Sequence, residues 1–293
     1  MAENYVIRAT AAEGQIRAFA CTTAGVCEEQ RRIHNTFPIC TAAVGRLMSA
    51  ALMMAVDMKG EKDLLTLTVK GDGPLRSMTV TADANGHVKG YCANPNVMLP
   101  PNAAGHLNVG GAVGKGNLSV IRDIGLKEPY VGQTALLSGE IAEDLTYYFA
   151  ASEQVPSSVG LGVLLSKDNV VSQAGGFIIQ LMPGASEAVI SALETRLSEV
   201  HSVTTMLEQG MTPEDILTQI LGDMQLEIND RKEVSYHCGC SRERVERALI
   251  SIGKDELKSL IDEGKPQEVN CDFCGKHYLF TGIELKALYE RSR

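Results

Sequence analysis

The stretch that most limits the fold is "ICTAAVGRLMSAALMMAV", from Ile39 to Val56. It is apolar or small on every side of a helical projection, interrupted only by Arg46. A helix without a polar face has nothing to offer water, so it lies inside a core or inside a bilayer. Its composition speaks for a core, because a span this short would be richer in Leu and Ile, and here Ala, Ser, Gly and Met dominate. Such a helix needs layers around it. A chain of 293 residues, 44% of them hydrophobic, is long enough to supply them.

The layers read as sheet. From Tyr5 to about Leu181, short apolar runs such as "LLTLTVKG", "LSVIRDIG" and "TALLSGEIA" are punctuated by Gly, Asn and Asp, and "SKDN" joins two more as a hairpin. The expected fold class is therefore α+β, with a sheet-rich N-terminal core over residues 1–180 around a buried helix at 41–58. "GGAVGKGN" at 110–117 is similar to a phosphate loop, but its spacing is wrong and Gly116 stands where a magnesium-binding hydroxyl belongs. It reads as a glycine-rich turn between strands. Neither a G-x-S-x-G nor an H-E-x-x-H pattern occurs, and His34 is a lone histidine among basic residues, so the chain is not read as an enzyme.

After "MPGAS" the character changes. Ser186 can cap a helix carrying Val189, Leu193, Leu197 and Val200, and "TPED" at 212–215 opens a second helix that Gly222 ends. Residues 186–230 hold nine acidic residues and one basic, so residues 181–230 are expected to form an acidic helical linker that packs weakly. A third unit, 231–293, has Ser241 capping a helix with Val245, Leu249 and Ile252, and a capping-box pattern at Thr281 and Glu284. A unit this small holds a poor core by itself and needs a staple.

The cysteines supply one. Cys21, Cys27, Cys40 and Cys92 are scattered through the sheet-rich region and read as small buried hydrophobes, whereas Cys238/Cys240 and Cys271/Cys274 form C-x-C and C-x-x-C pairs. Four soft ligands suit one tetrahedral Zn²⁺ per chain. Gly275 after the second pair can take the positive φ of a zinc knuckle. His237 and His277 stand beside the pairs and either can replace a thiolate, although four thiolates already fill a tetrahedron. A thioredoxin-like pair at 271–274 would require a βαβ setting that the surrounding sequence lacks. A structural zinc contributes roughly 10–16 kcal/mol in finger peptides, against about 5–15 kcal/mol for the whole stability of a typical domain. Removing it is expected to unfold the small unit.

Charge narrows the partners. The net charge of -9 repels a polyanion, so no nucleic-acid partner is expected, and no membrane partner either. "MAENYVIRATAAEGQIRAF" has no basic segment followed by an apolar run, which points to a cytoplasmic protein.

Across essentially its whole length the chain resembles the redox-regulated heat-shock holdases, the thirty-three-kilodalton chaperonin family. The match is carried by "RATAAEGQIRAF", "GYCANPNV", "VGGAVGKGNLSVIRDIGLKEPY", "SGEIAEDLTYYFAASEQVPSSVGLGVL", "CGCSRERVERALISIG" and "VNCDFCGKHYLF", in that order. The resemblance implies an ATP-independent chaperone with a substrate-binding core, a helical linker and a zinc-binding redox-switch domain. It also implies that Cys238, Cys240, Cys271 and Cys274 bind zinc in an inactive reduced form. On oxidation Cys238 would pair with Cys240 and Cys271 with Cys274, zinc would leave, and the protein would dimerise and bind unfolding clients. The four additional cysteines, and Val245 where the family commonly has an aromatic, depart from its usual pattern. A zinc ribbon for nucleic acid and a thiol-disulfide oxidoreductase are the rival readings.

Overall fold

The computed structural model describes residues 3–200 and 202–292, and the chain divides into two compact units between His237 and Cys238. The larger unit opens with strands β1 (Tyr5–Ala11) and β2 (Ile16–Thr22) and helices α1 (Ala24–His34) and α2 (Pro38–Ala55). Strands β3 (Leu64–Gly71), β4 (Ser77–Asp83) and β5 (His87–Cys92) follow, then a short helix α3 (Val109–Val113), β6 (Gly116–Asp123) and β7 (Tyr130–Ala135). Helix α4 (Ala142–Tyr148) leads to the hairpin of β8 (Ser157–Leu165) and β9 (Val171–Leu181). Helices α5 (Glu187–Ser198), α6 (Val203–Glu208) and α7 (Pro213–Leu221) come next, and β10 (Glu227–Glu233) and β11 (Ser235–Tyr236) end the unit.

Helix α2 is the centre, as its composition requires. Pro38 fits the first turn, where no N–H bond is lost, and every residue from Ile39 to Ala55 except Arg46 is buried. Arg46 reaches the Glu140 carboxylate at 2.6 Å. On one side of α2 lies a six-stranded sheet in the order β11-β5-β4-β3-β6-β7, and on the other a five-stranded sheet in the order β10-β1-β2-β9-β8. In β4 and β5 buried and half-buried residues alternate, so this sheet packs on the helix through one face. In the five-stranded sheet β1, β2 and β9 are buried on both faces. Val6, Phe19, Cys21 and Ile178 join the α2 core, while Ile7, Ile16, Phe177 and Ile179 join a second core beneath α5, α6 and α7.

This second core overturns the expectation of a weakly packed linker. Leu193, Val203, Met206, Leu207, Ile216, Leu217, Ile220 and Leu221 are buried there, and three helices form rather than two. Ser186, Ser202 and Thr212 cap them, and Thr212 and Asp215 close a capping box. Acidic residues repel only when they are close and unsolvated, and here Glu187, Glu194, Glu199 and Glu208 face water.

The boundary at 230/231 also moves. Strand β10 pairs antiparallel with β1 from Tyr5↔Glu233 to Thr10↔Glu227, and β11 pairs parallel with β5. Residues 231–237 therefore belong to the larger unit. Their polar sequence gives no strand signal, because an edge strand exposed on both faces needs only backbone pairing. "GGAVGKGN" is also more than a turn: α3 precedes Gly114, whose φ of 73° turns the chain into β6.

The smaller unit contains α8 (Arg242–Ser251), α9 (Lys254–Asp262), the antiparallel pair β12 (Gln267–Asn270) and β13 (His277–Phe280), and α10 (Gly282–Arg291). Its buried core is Leu249, Leu257, Phe280, Leu285 and Leu288. Five side chains are few for a unit that must hold three helices and a hairpin.

Candidate metal centre

All four C-terminal cysteines converge within the smaller unit. The tip of the β12–β13 hairpin holds Cys271 and Cys274, and the turn is fixed by backbone bonds from Cys271 N to Lys276 O at 2.9 Å and from Gly275 N to Cys271 O at 2.8 Å. Gly275 has a φ of 67°, the left-handed conformation that a side chain would strain. The other arm is the extended segment of Cys238 and Cys240, which ends where Ser241 caps α8 by accepting the N–H of Arg244. Arg242 then ties this arm to the hairpin. Its guanidinium lies 4.3 Å from the centre of the Phe280 ring, donates to Leu279 O at 3.0 Å and pairs with Glu284 at 2.6 Å.

The four Sγ atoms lie within 4.8 Å of one another. The separations are 3.7 Å from Cys238 to Cys271 and 3.3 Å from Cys240 to Cys274. A tetrahedron of sulfurs bonded at about 2.3 Å to zinc has edges of about 3.8 Å, so the donor set has the right size as well as the right softness. Zn²⁺ fits these residues.

Electrostatics within the cluster are uneven. Burial pushes the Cys240 thiol up, but the Tyr278 hydroxyl, donating at 3.1 Å, and the neighbouring thiols outweigh it and bring Cys240 down to about 7. Burial and the same neighbours push Cys274 up to about 12, and burial raises Cys238. Thiols that share protons in this way lose them together when a cation replaces the protons.

The two weighed histidines stand elsewhere. His277 Nδ1 pairs with Glu268, while the His237 ring lies 4.7 Å from that of His87 and the His237 backbone N–H donates to Val88 O at 2.9 Å. Neither belongs to the sulfur cluster. Tyr278 and Arg242 escaped the sequence reading. Both lie inside the quoted motifs, but nothing in their spacing says which way a side chain turns. Of the remaining cysteines, all four are buried, as expected.

Comparison with known proteins supplies the family. The family model described as Hsp33 protein matches residues 4–281. The chain belongs to the Hsp33 family. It is 58% identical over 290 residues to the 33 kDa chaperonin of Lachnoclostridium phytofermentans, covering 99% of each chain. It is 56% identical to that of Agathobacter rectalis, covering 97% of this chain and 99% of the other. The crystal structure of the Thermotoga maritima 33 kDa chaperonin superposes with a TM-score of 0.88 at 36% identity, covering 99% of both chains. The mixed α+β fold is thus that of an Hsp33 chaperone, and α2, among the described residues the one helix long and apolar enough to cross a membrane, is its core helix.

Proposed function

We propose that this Hsp33 chaperone is a redox-regulated, ATP-independent holdase, non-enzymatic and cytoplasmic, that binds unfolding proteins once its zinc centre is oxidised. The observation that carries the reading is the convergence of four thiols within 4.8 Å in a unit whose described residues include five buried core side chains. Cys238, Cys240, Cys271 and Cys274 would hold one Zn²⁺, which supplies the folding energy that the small core lacks. Tyr278 orients the Cys240 sulfur, and Arg242 keeps the C-x-C arm against the hairpin.

Oxidation by peroxide removes the ligands. Disulfides between Cys238 and Cys240 and between Cys271 and Cys274 would separate the two arms, whereas cross-arm disulfides would staple them together. The shortest sulfur contacts are cross-arm, so the release switch depends on the C-x-C arm leaving the cluster before it closes on itself. An extended C-x-C spans about 7 Å between Cα atoms, at the limit for a disulfide, so closing it bends the backbone away from a metal-binding shape. The opened chain then offers apolar surface to clients, with the helices over Ile7, Ile16, Phe177 and Ile179 as the cover to be released. The oxidised form would also dimerise.

Zinc content and disulfide mapping, before and after peroxide, test the proposal. One zinc per reduced chain, lost as the two neighbour disulfides appear and as aggregation of a thermally unfolded client is suppressed, is the expected result. A Cys240–Cys274 disulfide in the active form would sink the release mechanism. Catalytic turnover of a model disulfide would favour an oxidoreductase instead, and salt-dependent binding of RNA would favour a zinc ribbon.

A further inference from the structure

Two of the buried cysteines are not isolated. Cys40 lies in the first turn of α2 and Cys92 ends β5, and both thiols point at one oxygen, the Asn94 carbonyl, at 3.3 Å and 3.6 Å. The shared carbonyl is held in place, since the Asn94 side chain donates to Pro74 O at 2.9 Å and accepts from Asn96 N at 3.2 Å. Flanking bonds from Ala93 N to Ser77 O and from Phe37 N to Pro95 O, at 2.8 Å and 2.9 Å, fix the backbone on either side. We infer that Cys40 and Cys92 form a second peroxide-sensitive dithiol, within the larger unit, that closes to an intramolecular disulfide.

The other buried pair makes the contrast. Cys21 donates to Ser49 O and Cys27 to Thr23 Oγ1, and burial is the leading influence that pushes both thiols up, so they stay protonated and inert. At Cys40 the neighbouring Cys92 thiol is the leading influence and lowers it, while Cys40 in turn raises Cys92. In this pair Cys40 is assigned as the nucleophile and Cys92 as the resolving thiol. Cys92 keeps 9% of its surface open and Cys40 none, so hydrogen peroxide has to reach the pair from the Cys92 side.

The chemistry balances with peroxide as the oxidant. The Cys40 sulfur attacks one peroxide oxygen, the O–O bond breaks, and water leaves with the thiol proton, giving the sulfenic acid. The Cys92 sulfur then attacks Cys40 Sγ, the S–O bond breaks, and a second water carries off the Cys92 proton. Two thiols lose two electrons and two protons to one peroxide. The product ties the start of the central helix to the end of β5, in the unit that has to stay folded while the smaller one opens. This dithiol does not depend on the redox reading of the C-terminal cysteines.

The test uses the full-length, reduced, zinc-loaded protein. After hydrogen peroxide, free thiols are blocked with iodoacetamide and the digest is mapped by mass spectrometry. The expected result is a Cys40–Cys92 linked peptide that dithiothreitol abolishes, with alkylated Cys40 and Cys92 falling together and equally. In Cys92→Ala the linked peptide is absent and Cys40 advances to the sulfinic acid. The wild-type digest decides the matter even if that variant folds poorly. Full alkylation of both residues at peroxide doses that oxidise the C-terminal four overturns the inference, as does Cys40 linked to any cysteine other than Cys92. A Cys40–Cys92 link with the C-terminal cysteines still reduced supports this dithiol and counts against the zinc switch.

Discussion

At the scale of single residues, the metal centre depends on groups of two kinds. Cys240 is a ligand, and Cys240→Ser replaces a soft thiolate by a neutral hydroxyl, a poor donor to zinc. Loss of the metal then removes what holds residues 238–293, so the variant is expected to suppress client aggregation in part under reducing conditions. A zinc-free Cys240→Ser protein with native-like protection from hydrogen exchange over 238–293 would refute this. Tyr278 acts through its hydroxyl on the Cys240 sulfur, 3.1 Å away. Losing a partner of this sort costs roughly tenfold or more in metal affinity, so Tyr278→Phe should lose zinc to a chelator at a correspondingly lower concentration with the fold retained. Gly275→Val, at a φ of 67°, should weaken the knuckle through backbone strain, read by the same chelator competition.

At the scale of elements, α2 and the helices α5 to α7 respond differently to mutation. Leu52 lies wholly inside the core on α2, and Leu52→Ala is expected to cost about 2–5 kcal/mol, measured by urea unfolding of the larger unit. Asp144 is a buried carboxylate in the first turn of α4 that accepts N–H bonds from Leu137, Ser138, Gly139 and Ile141 at 2.7–3.3 Å. Asp144→Ala leaves those donors unpaired, the N–H groups of Gly139 and Ile141 among them buried, and should destabilise the same unit by about 1–3 kcal/mol, because a buried donor without a partner exacts a desolvation penalty. Neither change should alter zinc affinity. The cap at Thr212 and the capping box at Thr281 were legible because their rule is local: side chains within one turn satisfy the helix's first N–H groups wherever the helix sits.

At the scale of the molecule, the two units should part company when zinc is withdrawn. A chelator with an oxidant-free buffer is expected to abolish hydrogen-exchange protection over 238–293 while α2 and its two flanking sheets remain protected. Equal loss across both units would mean that they fold as one. A chain ending at 237 keeps β10 on β1 and should be as stable as the larger unit in the full protein. One ending near 180 loses β10 and the helices that cover the outer face of the five-stranded sheet, and should expose that face to a hydrophobic dye.

The amino-acid sequence by itself determined what local chemistry or composition can dictate. A helix without a polar face had to be central, C-x-C and C-x-x-C supplied four soft ligands, and caps and the "SKDN" turn marked where elements begin and end. Tertiary structure decided what depends on partners distant in the chain. Strand β10 has no strand signal of its own and exists because β1 offers an unpaired edge, which moved the unit boundary to 237/238. The acidic helices pack because the outer face of a sheet 150 or more residues earlier is apolar, at Ile7 and Ile16. Cys40 and Cys92 are 52 positions apart and look like two scattered hydrophobes until α2 lies along β5 and points both at one carbonyl. Periodicity and capping are properties of neighbours in sequence, whereas edge pairing, face coverage and thiol proximity are properties of neighbours in space, and only folding makes the second kind.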